Sequence, residues 1–350
     1  MSDLLKLTAY FAERERCGRR FLAEVLLDLF ATPAISASVM LRGIASFGPH
    51  HFVRSDESLT LSEDPPVMIT AIGDPAAVTA IVDDVTAITA RGLITLERAQ
   101  RGYTPVPDDG DGVKLTLYLS RRQRINGLAA HRAAVSVFHR AGFAGAAVFL
   151  GVDGSIAGRR RRARFFSGNT DVPVLVVAVG DVSAATAATR ELAGILPDPL
   201  LTVERVRVCK RDGRVLAAPH PLPTTDAAGL NIFEMLTVYT AADSRHDGVP
   251  IHRALVRRLQ ETRQVNGATV LRGVWGFHGE HTPRGDTLFA LGRGVPVATV
   301  IVDTPAAIAR SFALVHELTG DFGLVTSERV PAMLALAHGQ RHGGTRLAWD

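Results

Sequence analysis

The chain has 350 residues, 47% hydrophobic and 21% charged, a balance that excludes wholesale disorder. Lys and Arg exceed Asp and Glu by four, too small an excess to mark a nucleic-acid binder unless the cations cluster. Two cysteines, Cys17 and Cys209, cannot build a disulfide framework or a four-thiolate metal site. The charged start, with Asp3, Lys6, Glu13, Arg14 and Glu15, lacks the apolar segment of a signal peptide. Apolar runs at 141–152 and 172–180 stop at Asp153 and Asp181, short of a membrane span. The expectation is a cytoplasmic protein with reduced thiols.

Leu7-Thr8-Ala9-Tyr10 reads as a strand, and Phe21, Leu22, Val25, Leu26, Leu29 and Phe30 as one face of a helix. Val39–Gly43 reads as a strand ending in glycine, followed by a polar loop and a strand opening at Pro66. Asp74-Pro75 places a capping side chain before a proline at the first helical position. Leu93–Arg98 is a last strand, carrying Glu97. The series then begins again at Leu115-Thr116-Leu117-Tyr118, and once more at Leu236-Thr237-Val238-Tyr239. Gly151 and Gly273 repeat Gly43, Pro173 and Pro296 repeat Pro66, and Glu204 and Glu328 repeat Glu97. The second helix opens at Asp181 in the middle copy and at Thr304-Pro305 in the last; the apolar face of the earlier helix returns as Ile251, Leu255, Val256 and Leu259.

Tyrosine-to-glycine spacings are 33, 33 and 34 residues, glycine-to-proline spacings 23, 22 and 23, and proline-to-glutamate spacings 31, 31 and 32. Four landmarks recurring in one order with one-residue drift establish a triplication. Each copy has the order βαββαβ, the ferredoxin-like unit, so the fold class is α+β. The repeats span 1–100, 113–210 and 232–333. Linkers at 100–112 and 211–231 are rich in Pro, Gly and Asp or Ala, and residues 334–350 read as a flexible tail.

The repeat resembles the PII-like superfamily, most closely the bacterial domain-of-unknown-function class 190. In repeat one the likeness runs through Lys6–Tyr10, Gly18-Arg19-Arg20-Phe21-Leu22, Leu41-Arg42-Gly43, Phe47-Gly48, His50-His51 and residues 59–64. In repeat three it survives as Leu271-Arg272-Gly273, Trp275-Gly276-Phe277 and His281, whereas the middle copy has Leu150 where the others have arginine. PII-like domains are trimers that bind small ligands between subunits. The resemblance therefore implies that the three copies form an intrachain pseudo-trimer in a monomeric chain. It implies a signal-transduction role without catalysis, and a protein partner such as a membrane transporter or channel.

Candidate residues follow from that placement. Arg42-Gly43 and Arg272-Gly273 fall at the strand–loop junction that borders the phosphate site in nucleotide-binding relatives. Glycine permits close backbone approach and arginine offers a bidentate fork to a small anionic ligand, an adenine nucleotide in particular. The plainer reading is a turn glycine beside a solvated arginine. Phe47, Gly48, Phe277 and Gly279 continue the junction, where a phenyl ring either stacks on a base or plugs the sheet end, the second being favoured. Arg159, Arg160, Arg161, Arg162 and Arg164 form a cationic run in the middle repeat's loop, read as a partner contact against the alternative of a solvated charge run. No aromatic platform interleaves the run, which sets nucleic acid behind an acidic protein surface.

His50, His51, His278 and His281 make divalent-metal binding the alternative function, with a basic nucleic-acid module behind it; no metal ligand is assigned. Glu97 and Glu204 read as structural partners of Lys6 and Lys114 across neighbouring strands, with Glu234 taking the lysine's place in repeat three. Phosphate-loop, zincin, nucleophile-elbow and C-x-x-C motifs are all absent from the sequence, so no catalytic residue and no cofactor is assigned.

Overall fold

The computed structural model describes residues 3–48, 54–55, 64–102, 112–162, 171–279, 281–285, 294–337 and 339–349. Repeat one comprises β1 (Asp3–Ala12), α1 (Leu22–Phe30), β2 (Ile35–Phe47), β3 (Pro66–Gly73), α2 (Pro75–Ile88) and β4 (Gly92–Arg101). Repeat two comprises β5 (Gly112–Ser120), α3 (Ala130–Arg140), β6 (Gly145–Leu150), β7 (Asp153–Ile156), β8 (Pro173–Gly180), α4 (Val182–Ile195) and β9 (Leu200–Arg211). Repeat three comprises β10 (Phe233–Ala241), α5 (Ile251–Thr262), β11 (Ala268–Arg272), β12 (Trp275–His278), β13 (Pro296–Asp303), α6 (Pro305–Thr319) and β14 (Leu324–Val330). A final hairpin, β15 (Ala332–Ala337) and β16 (Gln340–Gly344), follows.

Within repeat one the antiparallel order is β2-β3-β1-β4. Repeats two and three repeat it as β6-β8-β5-β9 and β11-β13-β10-β14. The second helices start where their caps dictate: Asp74 accepts from the Ala76 N–H at 2.9 Å, Asp181 from Ala184 at 2.7 Å and Thr304 from Ala307 at 3.4 Å.

Alternation along the strands sorts side chains to two faces. In β1, Leu5, Leu7, Ala9 and Phe11 turn toward α1 and α2 and join the core of repeat one. Leu4 and Tyr10 turn the other way, into a cluster shared with Tyr118, Phe149, Leu175, Phe233, Met235 and Leu271 from the other two repeats. Helices therefore cover one face of each sheet and the sister repeats cover the other.

Two sets of strand pairings close the repeats into a ring. The far end of β2 pairs with β11 of repeat three, β12 of repeat three pairs with β6 of repeat two, and β7 of repeat two pairs back onto β2. The last strands close in the opposite direction. Gln100 and Arg101 of β4 pair with β9, Arg207–Arg211 of β9 pair with β14, and β15 pairs with β4.

Two expectations need correction. Gly43 does not end its strand; β2 runs on to Phe47 because its last residues leave their own sheet for that of repeat three. Residues 334–337 and 339–349 are not a loose tail. Ala332, Leu334 and Leu336 alternate into the core of repeat one, and the Ala348 N–H donates to the Pro331 carbonyl at 2.9 Å. The 211–231 segment is fastened too, since the Asp226 carboxylate accepts from the backbone of Ala228, Leu230 and Trp349.

Candidate functional site

The glycines expected to open a phosphate loop instead lie where one repeat's backbone meets the next. A Cβ on Gly43 would stand 2.8 Å from the Val270 carbonyl oxygen of repeat three. On Gly273 it would stand 3.1 Å from the Val148 oxygen of repeat two, and on Gly151 3.2 Å from Val39 of repeat one. Each glycine thus sits between a neighbouring repeat, in cyclic order, and its own repeat's proline (2.9 Å to the Pro66 ring, 2.7 Å to the Pro173 oxygen and 3.0 Å to the Pro296 oxygen), and crowding on both sides explains the recurrence of glycine at this spacing. Gly276 adds a backbone at φ +156°, where a Cβ would lie 2.1 Å from the Ala146 oxygen.

The arginines and phenylalanines beside them divide. Arg42 is half exposed and pairs with Glu13 of its own repeat. Arg272 is exposed. Phe47 is buried in the core of repeat three and Phe277 in that of repeat two, edge-on to His139, so both rings plug a neighbour's sheet end. Gly48 follows Phe47 beside Gly267, and Gly279 is buried with its N–H on the Ala144 carbonyl at 2.8 Å. Gly145, Ala147, Val179, Tyr239, Phe277 and His278 line part of a small pocket between repeats two and three, with a cavity volume of about 10 Å3, room for about one water. Across the same two repeats, the Arg132 guanidinium stacks on Trp275 at 4.3 Å. Burial, then Arg132, Arg124 and Arg121, pull the His131 imidazole down to about 4, which registers a positive local field.

The arginine run is partly tied down. Arg160 bridges the buried Asp153 at 2.7 Å and Asp28 on α1 of repeat one, and Arg162 reaches Glu24 on the same helix at 2.9 Å. These two cations pin the β7 hairpin to repeat one. Arg159 and Arg161 are exposed. Arg164, His50 and His51 lie outside the described residues. His278 and His281 have rings in contact, with centroids 4.9 Å apart.

The central feature is a buried charge cluster that the sequence reading left as isolated cross-strand pairs. Lys6 stands opposite Glu97, and Lys114 opposite Glu204, as that reading expected. The residue opposite Glu328 is Met235, not Glu234, which stands opposite Arg329. Because each of these side chains faces the shared core, the three pairs converge. Lys6 Nζ lies 2.8 Å from Glu97 and 3.0 Å from Glu204, while Lys114 lies 2.5 Å from Glu204 and also pairs with Glu328. Each lysine thus bridges its own repeat's carboxylate and the next repeat's. Among the described residues, Glu97, Glu204 and Glu328 are the one group of three His, Cys, Asp or Glu side chains brought within ligand distance of one another.

Burial alone would raise the Glu204 carboxyl, but Lys114 and Lys6 outweigh it and bring it down to about 2. Burial also raises the Glu328 carboxyl; Lys114 and Lys6 oppose the rise without cancelling it, and Glu204 and Glu97 reinforce it. Burial disfavours the Lys6 ammonium, yet Glu204 and Glu97 hold its pKa well above the usual range. Tyr10, Tyr118 and Tyr239 surround the cluster, and burial pushes all three hydroxyls up. The tyrosine landmark gives the signal that reveals this cluster: Lys6, Lys114 and Met235 each precede their tyrosine by four residues.

A second polar group sits apart from the cluster. Ser327 Oγ donates to Glu234 and lies 3.0 Å from His220 Nδ1. Ser327 and Glu234 are fully buried, and burial raises the Glu234 carboxyl to about 7. Serine, histidine and carboxylate are thus joined, but with the hydroxyl sealed in the middle of β14, where no substrate carbonyl reaches it.

The family model for DUF190, described as uncharacterized ACR, matches the chain at residues 4–101, 112–208 and 233–332. A relative, the UPF0166 protein of Aquifex aeolicus (strain VF5), is 33% identical over 98 residues, which cover 28% of this chain and 90% of that protein. A solved structure described as an anthrone oxidase-like protein aligns at 12% identity over 63% of this chain and 98% of its own, with a TM-score of 0.18, and carries no argument here. With three matches that together take in most of its length, the chain belongs to the DUF190 family, in three tandem copies.

Proposed function

We propose that the chain is a non-enzymatic PII-like regulatory protein. In this reading its three ferredoxin-like units form an intrachain pseudo-trimer that takes a small anionic ligand at a seam between repeats. The ligand class it favours is an adenine nucleotide, and its loops present the bound state to a protein partner. The observation that supports the reading is the closure of three family repeats into one ring, with Arg272 exposed at the end of β11 where repeats meet. An exposed guanidinium suits phosphate. Arg272, at the end of β11, is the anion contact of this proposal. Arg42, which also pairs with Glu13, is the candidate for the same role in repeat one. Arg159 and Arg161, exposed beyond the pinned hairpin, are the partner-facing cations. Among the described residues no helix is long and apolar enough to cross a membrane, so a membrane transporter would be met as a partner.

Calorimetric titration of the full chain with ATP, ADP and AMP tests the proposal. Binding of at least one nucleotide, weakened tenfold or more by Arg272→Ala with an unchanged melting temperature, is expected. No binding by any of the three overturns the nucleotide assignment. Binding indifferent to Arg272→Ala removes Arg272 as the anion contact.

A further inference from the structure

The central cluster sets two ammonium groups among three carboxylates, all buried. Ammonium groups bridge the Glu97–Glu204 and Glu204–Glu328 junctions. At the Glu328–Glu97 junction the repeat supplies the thioether of Met235, which carries no charge and donates no hydrogen bond. One negative charge is left over in a site where burial makes unbalanced charge costly.

Unpartnered oxygens mark the same place. Glu328 Oε1 is buried with no hydrogen-bond partner among the described residues, and so are Thr326 Oγ1 and Thr202 Oγ1. Thr326 stands two residues before Glu328 on the same face of the strand, whereas Thr202 stands likewise before Glu204, at the lysine-bridged junctions. Their counterpart in repeat one, Thr95, is satisfied by donating to Glu97 at 2.9 Å. Buried polar atoms in native proteins are paired almost without exception, so orphaned oxygens beside an unbalanced carboxylate point to a ligand that supplies positive charge.

We propose that the Glu328–Glu97 junction binds one small monovalent cation of the Na+ or K+ class, held by oxygen atoms, in the role that lysine fills at the other two junctions. Charge sets the valence. One positive charge balances the cluster, whereas a divalent ion would overshoot it and face two ammonium groups already bound to the same carboxylates. The donors are carboxylate and hydroxyl oxygens, ligands for a hard cation rather than a soft transition metal. A proton on Glu328 would also balance the charge, donating to one neighbouring oxygen; a coordinated cation engages several oxygens at once, and the salt dependence below separates the two. Lys6, Lys114, Tyr10, Tyr118 and Tyr239 are the other titratable groups that face this cluster. The proposal stands independently of the nucleotide reading.

Thermal unfolding of the full chain at neutral pH tests it, with NaCl or KCl replacing tetramethylammonium chloride at constant ionic strength. The melting temperature should rise by about 2–4 °C, saturate, and discriminate Na+ from K+. Met235→Lys, which supplies the third ammonium, should abolish that dependence. Glu328→Gln, which removes the excess charge without changing shape, should abolish it too and keeps the test decisive if Met235→Lys does not fold. Identical melting temperatures of the parent chain in all three salts would overturn the proposal and leave a proton as the charge that balances the junction. A cation-specific rise that persists in Glu328→Gln would also overturn it, by placing the ion elsewhere.

Discussion

The Glu97–Glu204 and Glu204–Glu328 junctions differ from the Glu328–Glu97 junction by one side chain. The first two each hold a lysine between carboxylates of neighbouring repeats; the third holds Met235 at the same register. Strand pairing, the flanking tyrosines and the burial are shared, so the backbone frame is common to all three while the charge is not. Repetition sets the geometry of the centre, and divergence at single positions gives it an asymmetric chemistry. The seams show the same division. Gly151–Gly154 and Gly273–Gly276 break their strands in repeats two and three, while repeat one has Ser46 at the later position and keeps β2 continuous.

Converting a bridged junction into the methionine kind should have the largest effect. Lys114→Met leaves Glu204 and Glu328 facing each other without their shared cation, and should cost about 3–5 kcal/mol in chemical denaturation. A loss below 1 kcal/mol would mean that the bridged and unbridged junctions are energetically alike. Gly276→Ala should come next, at about 2–3 kcal/mol, because its φ is +156° and the new Cβ meets the Ala146 carbonyl. Ser46→Ala, at the equivalent position of repeat one, should by contrast stay within about 1 kcal/mol. The pair sharpens the comparison of seams.

Arg160→Ser should follow at about 1–3 kcal/mol, since it unpairs the buried Asp153 and detaches the β7 hairpin from α1. Arg159→Ser with Arg161→Ser should change stability by less than about 0.5 kcal/mol, as exposed sites do. Equal losses from both changes would show the whole arginine run to be structural.

Acid separates the carboxylates by sign. The Glu204 pKa is depressed to about 2, so its stabilisation is fully present above its unfolded value near 4.5 and is lost as pH falls toward 2. The Glu234 pKa is raised to about 7, so its ionisation costs stability as pH climbs from about 4.5 through 7. Glu234→Gln should flatten the stability profile over that second window and leave the acid limb unchanged. A profile unaltered by the substitution would place the neutral-range titration elsewhere.

Most of the fold was legible in the sequence, because landmarks at fixed spacing report a repeated backbone path directly. The second-helix starts at Asp74, Asp181 and Thr304 were legible from local chemistry, since a cap requires only neighbouring residues. Gly43 misled because the same residue type serves a turn, a phosphate loop or a close strand crossing, and the partner that decides, Val270, is more than two hundred residues away. The tail misled because its glycines outweighed the alternation at Ala332, Leu334 and Leu336. The central cluster was half legible: Lys6, Lys114 and the three glutamates were visible as pairs. Their convergence depends on the packing of three sheets against one another, which no spacing within a repeat encodes. Arg160 reads from the sequence as one of five partner-contact cations because its own partners, Asp153 and Asp28, come from two different repeats.

Small-angle X-ray scattering, with mass taken from the forward intensity, tests most directly whether the three repeats close into one body within a single chain. The account predicts a monomer with a radius of gyration of about 20 Å, the value for one compact unit of 350 residues. A radius above about 30 Å at monomer mass would describe three separated repeats, and a particle of three chains would mean that the strands are exchanged between molecules. Either result would contradict the intrachain ring.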